Sequence, residues 1–129
     1  MAVGNSQDKS PIIRALQYLS KRTTAEVRVH VSQEWFEKDP MDYALKLFDY
    51  FKMTQTEHRN SVLFYINRHK QSYAIVADEG IHRVLGQKYW DELALNLKED
   101  LQSTYFENAL SMALFSLGVS LEKHYPIEQ

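Results

Sequence analysis

Residues 60–82 read NSVLFYINRHKQSYAIVADEGIH. Two dense runs of β-forming residues, Val62 to Ile66 and Tyr73 to Ala77, flank a polar stretch long enough for a hairpin turn. The second run leads straight into Asp78-Glu79-Gly80, a polar and conformationally permissive point next to the apolar core. Most of the remaining chain has helical periodicity, and helices with apolar stripes need a surface against which to bury them. A small sheet centred on this hairpin supplies that surface, and its Asp78 exit is the first place to expect a site.

Upstream of the hairpin, Val27, Val29 and Val31 alternate with Glu26, Arg28, His30 and Ser32, the period of a strand with one apolar face. Its polar face places it at a sheet edge or beneath long side chains with buried stems. Trp35-Phe36 follow in a loop and are expected to fold back over the core or plug a groove. Asp39-Pro40 is a cap-and-proline helix start, and Asp42 suits the first turn. Ala44, Leu47, Phe48 and Phe51 form the core stripe of this helix, widened by Met41, Tyr43 and Tyr50. A strand, a helix and a second strand in this order predict a right-handed parallel crossover, with the third strand antiparallel to the second.

The chain begins with residues 1–9, which lack periodicity and read as a flexible tail. Ser10-Pro11 then starts a helix with Ile12, Ile13, Leu16 and Leu19 on one face, ending near Lys21-Arg22. After Gly80, a short turn from Ile81 to Leu85 is expected, then a long helix marked by Trp90, Leu93, Leu97 and Leu101. Ser103 to Tyr105 interrupt it. A last helix carries Phe106, Leu110, Ala113, Leu114, Leu117 and Leu121 and stops before Pro126, with Gly118 as a close-packing position. The fold class is therefore α/β: a small mixed β-sheet sandwiched by helices on both faces, in helix-strand-helix-hairpin-helix-helix order, forming one domain over residues 10–125.

A chain of 129 residues has the size of one domain. The 15 Lys and Arg against 17 Asp and Glu leave a net charge of -2, which argues against nucleic acid or an anionic membrane surface as the main partner. Cysteine is absent, which rules out thiolate chemistry and disulfides and suits a reducing compartment. No stretch approaches the roughly 20 apolar residues needed to span a bilayer. A soluble, cytoplasmic protein without direct membrane insertion is the expectation. Four glycines leave no phosphate-binding loop, and no serine lies in a nucleophile elbow.

With parallel first and second strands and an antiparallel third, Glu26, Glu57, Arg59, Asn60, Asp78 and Glu79 converge at one end of the sheet. Carboxylates and an amide are the hard oxygen ligands that Ca²⁺ or Mg²⁺ prefer, so Asp78, Glu79, Glu26 and Asn60 are the candidate metal ligands. A solvated strand-end turn with Arg59 paired to Asp78 or Glu26 is the competing reading. His58 and His82 flank the cluster and are candidates for acid-base groups or zinc ligands. His30, His69 and His124 lie on a polar strand face, in the hairpin turn and near a helix end.

At Arg59-Asn60-Ser-Val-Leu-Phe-Tyr-Ile and Asp78-Glu79-Gly80-Ile81-His82 the sequence resembles the TPM domain family. Thr24-Ala-Glu26-Val-Arg28-Val, Trp90-Asp91 and the aromatic-rich start of the last helix extend the likeness to about residues 10–125. The resemblance implies an α/β sandwich of the short soluble bacterial branch. It also implies one of two activities known among members, divalent-cation binding without established catalysis or metal-assisted acid phosphatase action on phosphomonoesters. Many members are membrane-anchored, so a membrane-associated protein partner is a further expectation, beside a purely structural or protein-interaction role. Family motifs match at Glu26, Arg59, Asn60, Asp78, Glu79 and Gly80. Ala25 and Ser61 stand where the family commonly has glycine, which removes flexibility beside the proposed site.

Overall fold

The computed structural model describes residues 10–36 and 39–128. The expected flexible tail over residues 1–9 lies outside them. Eight elements follow in the order α1 (Pro11–Ser20), β1 (Val27–Ser32), α2 (Pro40–Tyr50), β2 (Val62–Asn67), β3 (Ser72–Ala77), α3 (Glu79–Leu85), α4 (Gln87–Ser103) and α5 (Phe106–His124). Contacts gather into two compact units, Ala25–Trp90 and Met1–Thr24 with Asp91–Gln129.

The first unit holds a three-stranded mixed sheet in the order β1-β2-β3. β1 pairs parallel with β2, Val27 opposite Val62 and Ser32 opposite Asn67. β2 pairs antiparallel with β3, Val62 opposite Ala77 and Asn67 opposite Ser72. β2 is the central strand and is buried along its whole length, which explains why its sequence is a continuous apolar run rather than an alternation. β1 lies at an edge, as its polar face requires. On that face Arg28 sits over the Phe51 ring at 4.3 Å while staying exposed, and the partly buried His30 stacks on Tyr65 at 5.9 Å.

α2 packs on the Leu63, Tyr65, Ala74 and Val76 face of β2 and β3 through Ala44 and Phe48, with Tyr43, Leu47 and Phe51 partly buried against it. Asp39 caps the helix, its Oδ1 accepting from the Met41 N–H at 3.0 Å, and Pro40 occupies the first helical position. Met41 and Tyr50 do not widen the buried stripe as expected. Both are exposed, because they fall outside the arc that faces the sheet.

Two further expectations are corrected here. Trp35 and Phe36 do not fold back over the core: they are 67% and 89% exposed. Residues 81–85 are not a turn but most of helix α3, which Asp78 caps through its side chain. Seven residues are too few to show a clear apolar period, and the cap rather than an apolar stripe marks this helix.

In the second unit, α1 packs against α5. Ser10 caps α1 by accepting from the Ile13 N–H at 3.3 Å. Ala15 and Leu19 face inward, and on α5 the buried set Ala109, Leu110, Ala113, Leu114, Leu117, Gly118 and Leu121 repeats every three or four residues. Gly118 is a close-packing position, since a Cβ there would lie 2.8 Å from Leu19 Cδ2. Leu93 and Leu97 of α4 are buried at i, i+4 spacing, and the break between α4 and α5 falls at the expected Ser103 to Tyr105. The chain after α5 returns beside residues 22–24, where the Thr23 hydroxyl and the Thr24 N–H both donate to the Tyr125 carbonyl, at 2.7 and 3.0 Å. Among the described residues, no helix is long and apolar enough to cross a membrane.

Candidate functional site

Continued one residue past the paired strands, the register puts Glu26, Ser61 and Asp78 side by side in one row at one end of the sheet. The Val62 N–H donates to the Glu26 carbonyl at 2.8 Å, and the Asp78 N–H donates to the Ser61 carbonyl at 2.9 Å. The strand directions expected from sequence are therefore those observed, and they bring these remote segments to a common end.

Asp78 is the fixed point of the cluster. Its side chain is 5% exposed, and its carboxylate accepts from Arg59 Nε at 2.6 Å, Arg59 Nη2 at 2.8 Å and the Glu79 N–H at 2.8 Å. The two arginine bonds form a bidentate fork, the strongest common geometry for this pair. The guanidinium reaches further through Nη1 to Glu79 Oε1 at 3.0 Å, and its pKa is raised, first by the hydrogen bonds to Asp78. Arg59 adopts a left-handed backbone, φ 50°, which is unfavourable for a residue with a Cβ. Its side-chain bonds and its carbonyl, which accepts from the Ile81 N–H at 3.1 Å, hold that conformation in place.

Gly80 permits the approach. A Cβ at this position would lie 2.3 Å from the His58 carbonyl oxygen and 2.7 Å from that of Arg59, so only glycine lets α3 start against the 58–59 backbone.

The four candidate ligands are not all drawn together. Asp78 and Glu79 meet across Arg59. Glu26 pairs instead with Arg28 at 3.5 Å and accepts from the Ser61 hydroxyl at 3.5 Å, so the serine standing where the family commonly has glycine tethers that carboxylate. Asn60 is buried, and its N–H donates to the Thr56 hydroxyl at 3.2 Å. Glu57 is exposed beside His58 at 3.8 Å, and His82 Nε2 lies 2.7 Å from Gln87 Oε1. Among the described residues, no group of three or more His, Cys, Asp or Glu side chains is arranged to hold a metal ion. The all-oxygen donor chemistry suits a hard dication, but with the guanidinium seated between Asp78 and Glu79 the residues do not form its coordination shell.

The opposite end of the sheet carries the Trp35-Phe36 loop, tied down by Asn67 at the end of β2. Buried Asn67 donates from Nδ2 to the Glu34 carbonyl at 3.0 Å and accepts at Oδ1 from the Lys70 N–H at 3.0 Å. It thereby staples the Trp35-Phe36 loop to the hairpin turn. The rings of Trp35 and His69 lie with centroids 3.4 Å apart. The signal available in sequence was Asn67 itself, a polar residue ending an apolar strand beside a turn.

No curated protein matches the chain. Among solved structures it is similar to the BA42 protein from the psychrophilic bacterium Bizionia argentinensis, determined by NMR, with 28% identity and a TM-score of 0.83 over 92% of this chain and 81% of that one. The family model described as the TPM domain matches residues 5–118. That match covers most of the sequence and includes every residue of the Arg59–Asp78 cluster, so the chain belongs to the TPM domain family.

Proposed function

We propose that this TPM domain is a non-catalytic cation-binding module, in which Ca²⁺ or Mg²⁺ displaces the Arg59 guanidinium from Asp78 and Glu79. The observation that carries the reading is the charge arrangement. A buried, positionally fixed carboxylate and an exposed one share a single cationic side chain that is itself 40% exposed, and that cation is tethered by a flexible stem. The ion would supply charge neutralisation to the start of α3. A metal-assisted acid phosphatase would need a guanidinium for the phosphoryl group, and three donors of Arg59 face carboxylates instead.

Titration with CaCl₂ and MgCl₂, followed by amide chemical shifts, tests the proposal. Shifts clustered at residues 26, 59–61 and 78–80, with midpoints of about 0.1–1 mM, are expected. They should vanish in Asp78→Asn and move to lower concentration in Arg59→Gln. Scattered surface shifts, or none at millimolar cation, would remove the proposal.

A second reading, an interaction module serving a membrane-associated partner, is favoured by one specific observation, the outward-facing Trp35 and Phe36. A cytoplasmic location, in keeping with the absence of cysteine, belongs to both readings.

A further inference from the structure

The end of the sheet away from Asp78 joins two short segments of opposite charge. The loop after β1 carries the outward Trp35 and Phe36 together with the exposed carboxylates Glu34 and Asp39, while Glu37 and Lys38 cancel in the sequence between them. The turn between β2 and β3 carries the exposed Arg68 and Lys70 on either side of His69. Two uncancelled carboxylates thus stand on the loop and two cations on the turn. The juxtaposition is built in. Asn67 bonds both segments, the Arg68 N–H donates to the Ser32 carbonyl at 3.0 Å, and the Glu34 N–H donates to the Ser32 hydroxyl at 3.1 Å. Glu34, Arg68 and Lys70 make these bonds through their backbone groups.

We propose that two copies of the chain associate through this tip, about a two-fold axis that sets the acidic loop of each on the basic turn of the other, with both pairs of aromatic rings at the centre. The inference goes beyond the two readings above, since it names a partner that neither contains and holds whether or not the cation site fills. The charge layout argues the occupant. A surface of one sign, such as an acidic membrane, attracts one segment and repels the other. A second copy turned through half a rotation offers each segment its opposite, which is the self-complementarity that a two-fold interface requires. Exposed aromatic rings are the side chains that anchor small interfaces. The Asn67 staple already orders both segments in the single chain, so association has little further ordering to impose. Each ring buries about 150–250 Å² at most, so the contact stays short of the roughly 800 Å² per partner of a standard interface and the dimer is weak and reversible.

Sedimentation velocity and amide chemical shifts of the full chain test the proposal over a concentration series. A dimer with a Kd of about 0.1–1 mM is expected, weakened by salt, with concentration-dependent shifts at residues 34–36 and 68–70. Phe36→Ser should weaken it about tenfold or more. Glu34→Lys and Lys70→Glu should each weaken self-association. An equimolar mixture of these two variants should associate about threefold or more strongly than either alone, because the mixed dimer keeps one native loop–turn pair and reverses both signs in the other. The staple uses backbone groups at both positions, so the variants retain the fold. A chain that is monomeric at about 1 mM, or self-association that Phe36→Ser leaves unchanged, would overturn the proposal. A mixture no stronger than its components would overturn it too, by rejecting the loop-on-turn arrangement. So would a chain that stays monomeric and instead co-sediments with vesicles of phosphatidylcholine and phosphatidylglycerol, which would assign the tip to a lipid surface.

Discussion

Arg59 and Asp78, 19 residues apart in sequence, face each other through two parallel hydrogen bonds of 2.6 and 2.8 Å, and the same carboxylate caps helix α3. One side chain therefore fixes both the segment that enters β2 and the helix that leaves β3. Because the arginine is partly exposed, its orphaned charge can still be hydrated if the pair is broken. When Asp78 is the partner removed, the cost is then the lost charge-assisted bonds and the lost cap rather than a buried charge, whereas removing Arg59 would leave the buried Asp78 carboxylate without its main partner.

Asp78→Ala is expected to destabilise the protein by about 2–3 kcal/mol, combining a lost cap with lost bonds to a charged group. Asp78→Asn, which keeps an acceptor for the Glu79 N–H, should fall between it and the wild type. Urea denaturation of the three proteins measures the order. Equal stability of Asp78→Ala and wild type would show that the pair is ornamental.

Gly80→Ala tests the close approach at the start of α3. Helix propensity alone favours alanine by about 1 kcal/mol. The added Cβ would meet two backbone carbonyl oxygens at 2.3 and 2.7 Å, and backbone cannot swing aside. The net effect is expected to be destabilising by about 1–3 kcal/mol. Gly118→Ala is the contrast: its Cβ would meet the end of the Leu19 side chain at 2.8 Å, which can rotate, so its loss should be smaller. The ranking of the two thermal midpoints decides the matter.

His30 gives the fold a pH dependence. Burial, and then the nearby Arg28 charge, push its pKa below the ordinary 6.5. The unfolded chain therefore takes up this proton first. The contribution of neutral His30 is fully present above about pH 6.5 and is lost as the pH falls through that value toward the lower folded one. Thermal midpoints measured from pH 7.5 to 5 should decline less steeply in His30→Gln than in the wild type. An identical slope would assign the dependence to other groups.

The TPM assignment and the all-oxygen character of the strand-end residues were legible in the chain itself, because motif order and residue chemistry are local properties. So were the capped starts at Ser10 and Asp39 and the apolar period of α5, since a helix shows its buried face in its own spacing, whereas the β1 alternation fails at the strand's end, where Val31 is exposed and Ser32 is buried. The parallel and antiparallel pairings also followed from element order, and they bring Glu26, Ser61 and Asp78 to one end of the sheet.

The sequence allows Arg59 to pair with Asp78 or Glu26, and the structure decides between them by distance: Asp78 lies within reach of the fork, while Glu26 is held by Arg28 and Ser61. Helix α3 was missed because seven residues carry too little period to outweigh a turn signal. Trp35 and Phe36 were misplaced for a different reason. Hydrophobicity describes what a side chain gains by burial, not whether a neighbouring surface is there to bury it. Asn67 staples the loop after β1 to the hairpin turn, a contact between residues 33 positions apart, and in that position the two rings are left facing water. Local spacing thus determined the elements and their polarity of packing, whereas tertiary structure alone decided the ion-pair partners and which aromatics face water, because both depend on distances between segments that the sequence does not encode locally.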